Sequence, residues 1–346
     1  MKKILVSMMA IALGASSLMA SGAFADSTTT TTIGGTSSTT TSVPTTTSTL
    51  KAIPVAPLTG LPDPSRLTKY RSALTIKIDN TPEAMPQYGV QDADVVYEEI
   101  VEGGITRLAA IFNSRLPTQV GPIRSVRRTD REIVFPIGGL FVFSGGAEYA
   151  VRSIATAPVK LFDEATSGSA MFRSSSRYPP HNLFANAELL MAKVGKPRPT
   201  PALFTYSSAQ GRPPGPRVSS FVVGFNSGFA ASFSWNAKTG SWDRSIFGEA
   251  DVSANGARVS PKNVIVMTVN YVGGVGVIDS YAQLIGSGPV EVFSGGTLQR
   301  GTWSRRSLRR TTVYKSASGK VINLKPGQTW VELLDVSDHV SVTLAP

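Results

Sequence analysis

The feature that most limits the fold of this chain is a threonine- and serine-rich segment near its N-terminus. Residues 26–50 contain 13 threonines and 5 serines among 25 positions. A segment of this composition buries too little apolar surface to offset the entropy that ordering removes. We therefore predict a flexible tether over residues 26–55, with the folded part of the chain beginning after it.

The residues before the tether have the layout of a secretory signal peptide. Two lysines precede an apolar run over residues 4–20, and a small-x-small pattern follows at residues 23–25. These three features together are typical of exported proteins. We predict a signal peptide at residues 1–25 and an extracytoplasmic location, with retention of the segment as an anchor as the alternative. We predict no transmembrane segment after signal cleavage.

The absence of cysteine excludes several classes of protein chemistry. The chain has no disulfide, no thiol nucleophile, no thiolate metal site and no cysteine that could carry a lipid. With only two histidines as well, a zinc site is not expected, although an oxygen-ligated cation stays open. We predict no cofactor and no metal site. The protein is expected to be secreted or associated with the cell wall, and not lipid-anchored through cysteine.

Proline-rich residues 196–217 divide the rest of the chain. Proline lacks a backbone donor and resists both helices and central strands, so we place a domain junction there. We predict an α+β protein with two domains. The first, residues 56–200, is a mixed α/β domain with a β-hairpin and several helices. The second, residues 218–346, is a mainly β domain, because short β-prone runs alternate with turn-forming residues.

The predicted hairpin places several charged residues on one surface. If Gly103 and Gly104 form a two-residue turn, strand alternation brings Glu98, Glu102 and Arg107 to one face. Arg107 would then lie diagonally between the two glutamates. Two interpretations stay open. The charges form a solvated ladder of ion pairs that contributes little stability, or they form the polar floor of a binding cleft.

Three arginines follow the hairpin along the chain. Arg124, Arg127 and Arg128 surround Ser125, which is the predicted N-cap of a helix over residues 125–134. Arginines near a helix N-terminus oppose the helix dipole, so they need negative partners. Those partners are either the glutamates of the hairpin or an anionic ligand.

Two further residues could carry acid–base chemistry. His181 lies in a proline-stiffened loop with Arg173, Arg177 and Asn182 before and after it. Histidine titrates near neutral pH, which suits proton transfer. His181 and Asp79 are therefore the candidate catalytic residues, and the alternative for His181 is a hydrogen bond to the backbone of a turn.

The positive charge of the chain is concentrated in one segment. The formal net charge is +11, and residues 292–331 carry eight basic residues and no acidic one. The candidate polyanion-binding residues within it are Arg305, Arg306, Arg309 and Arg310. This segment is either a solvated surface or an attraction site for a cell-wall polymer or another anionic envelope component. No specific nucleic acid is expected as a partner.

Several motifs together resemble the YerB-like family of exported, often lipid-anchored bacterial proteins of unknown function. They are Ala93–Glu98, Val101–Arg107, Gly121–Ser125, Pro180–Leu183, Gly301–Trp303 and Gly327–Val331. The resemblance extends over about residues 58–344 and implies an exported two-domain protein without an established activity. The chain departs from the family in having no lipobox cysteine. Glu99 falls outside the motifs, whereas Glu98 and Arg107 fall within them.

These observations lead to one hypothesis and two alternatives. The hypothesis is an exported envelope protein whose charged cleft binds an anionic or zwitterionic ligand, such as a wall fragment. The first alternative is a hydrolase or lyase that acts on cell-wall glycan, in which Arg124 and Arg127 stabilise developing negative charge. The second alternative is a scaffold for envelope machinery.

Overall fold

The strands and helices were located in a computed structural model, which describes residues 53–207, 211–225 and 228–346. The predicted signal peptide and almost all of the predicted tether lie outside these residues. Lys51–Pro346 forms one compact unit. Within the described residues, no helix is both long enough and apolar enough to cross a membrane.

The described residues form mainly strands, with a few short helices. The strands are β1 Leu74–Asp79, β2 Val95–Ile100, β3 Thr106–Phe112, β4 Gly139–Val142, β5 Val159–Phe162, β6 Met171–Arg173, β7 Leu183–Ala185, β8 Thr205–Tyr206, β9 Val218–Phe225, β10 Phe229–Asn236, β11 Ser241–Ile246, β12 Glu249–Ala250, β13 Asn263–Val269, β14 Tyr271–Val272, β15 Tyr281–Ala282, β16 Gly286–Ser294, β17 Thr297–Arg305, β18 Val313–Ser316, β19 Asn323–Leu324, β20 Thr329–Asp335 and β21 His339–Leu344. The α-helices are α1 Leu67–Tyr70, α2 Arg128–Val134, α3 Glu148–Ile154, α4 Glu164–Ser167 and α5 Ala187–Ala192.

Strands from both halves of the chain share one large sheet. Its ten strands are in the order β18-β17-β16-β13-β20-β2-β3-β1-β4-β5. Strand β20 lies between β13 and β2 and runs parallel to both. A second sheet has the order β12-β11-β10-β9-β21. This arrangement confirms the predicted α+β class with a β-rich C-terminal part, while the predicted domain boundaries stay a prediction.

The central strands are covered on both faces, which explains their apolar character. Every residue of β1, β2, β3 and β20 is buried. Aromatic side chains join the two sheets: the rings of Phe221 in β9 and Phe293 in β16 stack with centroids 3.6 Å apart, and Trp242 in β11 packs edge-on against both. Charged residues on such strands must therefore find partners inside the protein.

The hairpin forms, but its predicted register is wrong by one residue. Ile100 pairs with Thr106, so the connection runs over residues 101–105 and not over two glycines alone. Glu99 is therefore opposite Arg107. Because side chains alternate along a strand, a shift of one residue moves each side chain to the other face. Arg107 shares a face with Glu99, and Glu98 lies on the opposite face.

The helix after the hairpin begins later than predicted. Helix α2 starts at Arg128, and its N-cap is Arg127. The backbone N–H of Arg127 donates to the carboxylate of Asp130 at 2.7 Å, which closes the first turn. Ser125 is consequently not the cap. Arg124 lies in an extended segment beside β1, where its backbone N–H donates to the carbonyl of Lys77 at 2.9 Å.

Candidate functional site

Two groups of charged side chains lie on opposite faces of strands β1, β2 and β3. The first, here called the open cluster, consists of Asp79, Glu102, Arg107, Arg124, Arg127 and His181. The second, here called the sealed cluster, consists of Glu98, Arg244, Asp251 and Glu332. They differ in access to solvent, because several side chains of the open cluster are partly exposed, whereas those of the sealed cluster are buried.

Asp79 organises the open cluster. It is the last residue of β1, and its side chain is fully buried. Its Oδ2 atom lies 2.7 Å from Nδ1 of His181 and 2.9 Å from Nε of Arg124. One carboxylate oxygen thus joins the two candidate catalytic residues to the arginine segment. All three residues were predicted from the sequence as site residues, but no spacing along the chain indicated that they are close together.

His181 is held by this contact in a defined orientation. An N–H at Nδ1 that donates to the carboxylate leaves Nε2 as the acceptor of the neutral ring. The side chain is 18% exposed, so the loop that carries it reaches solvent. The alternative of a purely backbone-bonded histidine does not describe this contact, since the partner of Nδ1 is a carboxylate.

Arg107 is the one arginine of the open cluster that forms no ion pair within the described residues. It is 6% exposed, and its register partners on the two neighbouring strands are Asp79 of β1 and Glu99 of β2. Its Nη1 donates to the carbonyl of Ser125 at 3.3 Å, and its Nε has no hydrogen-bond partner in the described part of the chain. Burial, together with the nearby charges of Arg127 and Arg124, lowers the pKa of Arg107 to about 10, although Asp79 and Glu102 oppose the shift.

The remaining arginines at this end of the sheet have acidic partners. Arg127 donates to Oε2 of Glu102 from Nε at 2.7 Å, and its Nη2 lies 2.6 Å from the same oxygen. Arg128 lies 3.0 Å from Asp279 and stacks over the ring of Tyr281. The predicted pairing of these arginines with the hairpin acids is therefore confirmed for Arg127 with Glu102. Glu98 takes no part in it.

Three further charged residues lie on the same face and were missed from the sequence. Lys77 in β1 bonds to Glu99 and lies 3.0 Å from Asp130 of α2, and all three side chains are buried. Burial and the charge of Glu99 raise the pKa of Asp130 to about 6, although Lys77 opposes the shift. One signal was available: Lys77 is two residues from Asp79 on a strand, so both must share a face.

The sealed cluster is centred on Arg244, which is fully buried. Its Nη2 donates to Glu98 at 2.8 Å, and its Nη1 donates to Asp251 at 2.5 Å. The guanidinium also packs over the ring of Trp330, 4.5 Å from the centroid. Thr106 donates another hydrogen bond to Glu98 at 2.7 Å. Glu98, which the sequence assigned to the ligand site, is thus enclosed and away from Arg107.

Glu332 adds a second buried carboxyl beside Glu98. The two residues are partners in the register of β2 and β20, and both are fully buried. Burial and the neighbouring Glu98 raise the pKa of Glu332 well above its ordinary value, and Arg244 only partly opposes this. The pair could not be predicted from the sequence, because its members are far apart along the chain.

The other arginines around His181 support its loop. Arg177 donates to the backbone carbonyls of Ala84 and Pro86 at 2.7 and 2.5 Å. Arg173 donates to Glu164 and, at 2.8 Å, to the side chain of Asn182. These predicted ligand-binding residues therefore hold the two ends of the loop in place.

The predicted polyanion-binding arginines divide into two kinds. Arg305 is buried, and it donates to the backbone carbonyls of Glu132 and Leu308, each at 2.7 Å. Arg306, Arg309 and Arg310 are exposed. Only these last three can contact a polyanion from solvent.

The six residues of the open cluster carry more cations than carboxylates, whereas Lys77, Glu99 and Asp130 beside them add one cation and two carboxylates. Three guanidinium groups face two carboxylates, and His181 adds an acceptor at Nε2. In the part of the chain that the structure describes, no group of three histidine, cysteine, aspartate or glutamate residues is arranged to hold a metal ion. The chemistry available here is hydrogen bonding to an anion, together with proton transfer at the imidazole.

Comparisons with known proteins agree with this architecture. Residues 58–199 match the N-terminal domain, and residues 221–331 the C-terminal domain, of the protein of unknown function DUF3048. The protein named "Putative lipoprotein YerB" of Bacillus subtilis (strain 168) is 26% identical over 309 residues, which cover 83% of this chain and 88% of that protein. The crystal structure of YerB from B. subtilis superposes with a TM-score of 0.72 at 23% identity, covering 83% of this chain and 99% of that one. The chain therefore belongs to the YerB-like DUF3048 family, whose function is unknown.

Proposed function

We propose that this protein acts in the cell envelope, outside the cytoplasm, and binds an anionic ligand at the open cluster. The observation that carries the proposal is Arg107. This cation is buried beside two other arginines, and its Nε has no hydrogen-bond partner among the described residues. A bound anion would supply that partner and offset the repulsion between the guanidinium groups.

The exposure of the neighbouring arginines supports access for such a ligand. The side chains of Arg124 and Arg127 are 21% and 15% exposed, respectively. Among the described residues, Arg124 forms one ion pair, with Asp79, which it shares with His181. A guanidinium group offers five N–H donors, so these arginines retain donors for a ligand oxygen.

The expected location favours polyanionic ligands. The N-terminal sequence has the layout of an export signal, and a relative is named as a lipoprotein. Anionic wall polymers, phosphate-containing ones included, are among the anions that such a surface would meet outside the membrane. The exposed residues Arg306, Arg309 and Arg310 could add a weaker, salt-sensitive attraction to the same polymer.

The proposal is tested by binding of poly(glycerol phosphate) to the full mature chain. The variant Arg124→Gln removes one guanidinium from the open cluster, and Arg212→Gln removes an exposed arginine outside both the cluster and the basic segment as a matched control. A charge-assisted hydrogen bond contributes about 1.5–3 kcal/mol, so Arg124→Gln should weaken binding roughly tenfold or more by calorimetry. The control should change it by less than about twofold. Equal effects of the two variants, or no binding by the unmodified chain at low salt, would disprove the proposal.

A further inference from the structure

We infer that the open cluster hydrolyses phosphodiesters, with His181 as the general base. This inference rests on the proposed anion-binding function and names the chemistry of the ligand. The geometry behind it is the contact of 2.7 Å between Nδ1 of His181 and Oδ2 of Asp79. A buried carboxylate at Nδ1 fixes the ring so that Nε2 is free to accept a proton from a water molecule.

The position of the base relative to the arginines is set by shared contacts. Oδ2 of Asp79 lies next to both His181 and Arg124. Arg107 is the cross-strand partner of Asp79, and Arg107 and Arg127 both donate to the carbonyl of Ser125, at 3.3 and 3.4 Å. Directly opposed residues in a sheet have Cβ atoms about 4.5–5.5 Å apart. The base and three guanidinium groups therefore belong to one small region.

This combination suits phosphoryl transfer better than cleavage of a glycosidic bond. Glycosidases use two carboxyl groups on either side of the bond, one of which donates a proton. Here Asp79 and Glu102 are each bound by an arginine, and both serve to hold other side chains. Phosphoryl transfer depends mainly on positioning and on cations around the non-bridging oxygens, which guanidinium groups provide.

The proposed step conserves atoms and charge without a co-reactant other than water. Nε2 of His181 takes a proton from water while the water oxygen forms a bond to phosphorus. The P–O bond to one ester oxygen breaks, and that oxygen leaves with the bonding electron pair. The imidazolium then returns its proton to the leaving oxygen, which yields a phosphate monoester and an alcohol. The arginines stabilise the additional charge on the non-bridging oxygens.

The test uses bis(p-nitrophenyl) phosphate, whose hydrolysis releases coloured p-nitrophenolate. We expect slow turnover by the full chain and a loss of roughly 10²–10⁴-fold in kcat for His181→Gly, because general base catalysis contributes about that much. Added imidazole should restore part of the rate to His181→Gly. The control is His339→Gly, which alters the other, exposed histidine and should leave the rate unchanged.

Asp79 is a positioning residue in this scheme, so Asp79→Asn should lower kcat with little change in KM.

Circular dichroism and the unfolding midpoint identify variants that fail to fold, and His181→Asn replaces His181→Gly in that case. Binding of diphenyl phosphate without any turnover would overturn the hydrolytic step and leave anion binding intact. Failure to bind either poly(glycerol phosphate) or diphenyl phosphate would overturn the proposed function itself. Turnover that persists in both His181 variants would show that another group is the base.

Discussion

The open and sealed clusters lie on the same strands but differ in how their buried charges are compensated. In the sealed cluster, Arg244 bridges Glu98 and Asp251, and all three are buried. In the open cluster, Arg107 is also buried, yet it forms no ion pair within the described residues, and Asp79 and Glu102 only partly offset the charges of Arg124 and Arg127 beside it. Burial of a charged side chain therefore does not by itself identify a site. The useful distinction is whether the protein itself supplies the counter-charge.

The largest expected effect comes from breaking the sealed cluster. Arg244→Met would leave Glu98, Asp251 and Glu332 buried without their cation. Removal of one partner from a buried ion pair costs about 3–5 kcal/mol, so the free energy of unfolding should fall by that amount in urea titrations. The control Arg306→Met, at an exposed position, should change it by less than about 0.5 kcal/mol. A loss below about 1 kcal/mol for Arg244→Met would mean that the cluster is not sealed.

A smaller, pH-dependent effect is expected at Glu332. Its pKa in the folded protein lies well above the ordinary value of 4.5. Between pH 4.5 and the pKa of the folded protein, the unfolded chain has lost a proton that the folded protein retains. Stability therefore falls as pH rises above about 4.5, by up to about 1.4 kcal/mol per pH unit.

Glu332→Gln removes this loss, so the variant should gain stability relative to the unmodified protein as pH rises from about 4 to about 7. Urea unfolding at several pH values measures the difference. The exposed Glu249 provides the control, since Glu249→Gln replaces a surface side chain and should change the free energy of unfolding by less than about 0.5 kcal/mol. A gain that shrinks with rising pH would contradict the assignment.

The smallest effect on stability is expected in the open cluster. Glu102→Gln releases Arg127 from its carboxylate, and partly exposed ion pairs contribute less than about 1 kcal/mol. Affinity for poly(glycerol phosphate) should nevertheless rise by roughly threefold, because a guanidinium becomes available to the ligand. Calorimetry measures the affinity, and Glu249→Gln again serves as the control. Weaker binding by Glu102→Gln would place the ligand elsewhere.

Much of the fold could be predicted from the sequence because local patterns carry it. The α+β class and the strands on both sides of Gly103 followed from apolar runs and turn residues. The register did not, because Gly103 and Gly104 also fit a longer connection, and both adopt positive φ angles within it. One residue of error was enough to assign Glu98 and Glu99 to the wrong faces.

The sequence predicted which residues belong to the candidate site better than it predicted how they contact one another. Asp79, Arg124 and His181 were each identified from residue type, and their convergence on one carboxylate oxygen depends on tertiary packing. The sealed cluster could not be predicted from the sequence for the same reason. Arg244 and Glu332 approach Glu98 only after distant strands join one sheet, and no local pattern encodes that contact.

The place of β20 in the large sheet has a consequence for the biogenesis of this protein. Thr329–Asp335 is inserted between β2 and β13, so the middle of the sheet stays incomplete until that segment has left the ribosome. Contacts between such distant parts of a chain form slowly. The central sheet of a nascent chain therefore cannot be completed before the last part of its synthesis. Proteolytic trimming that reaches Thr329 would abolish the fold as a whole instead of removing a peripheral strand.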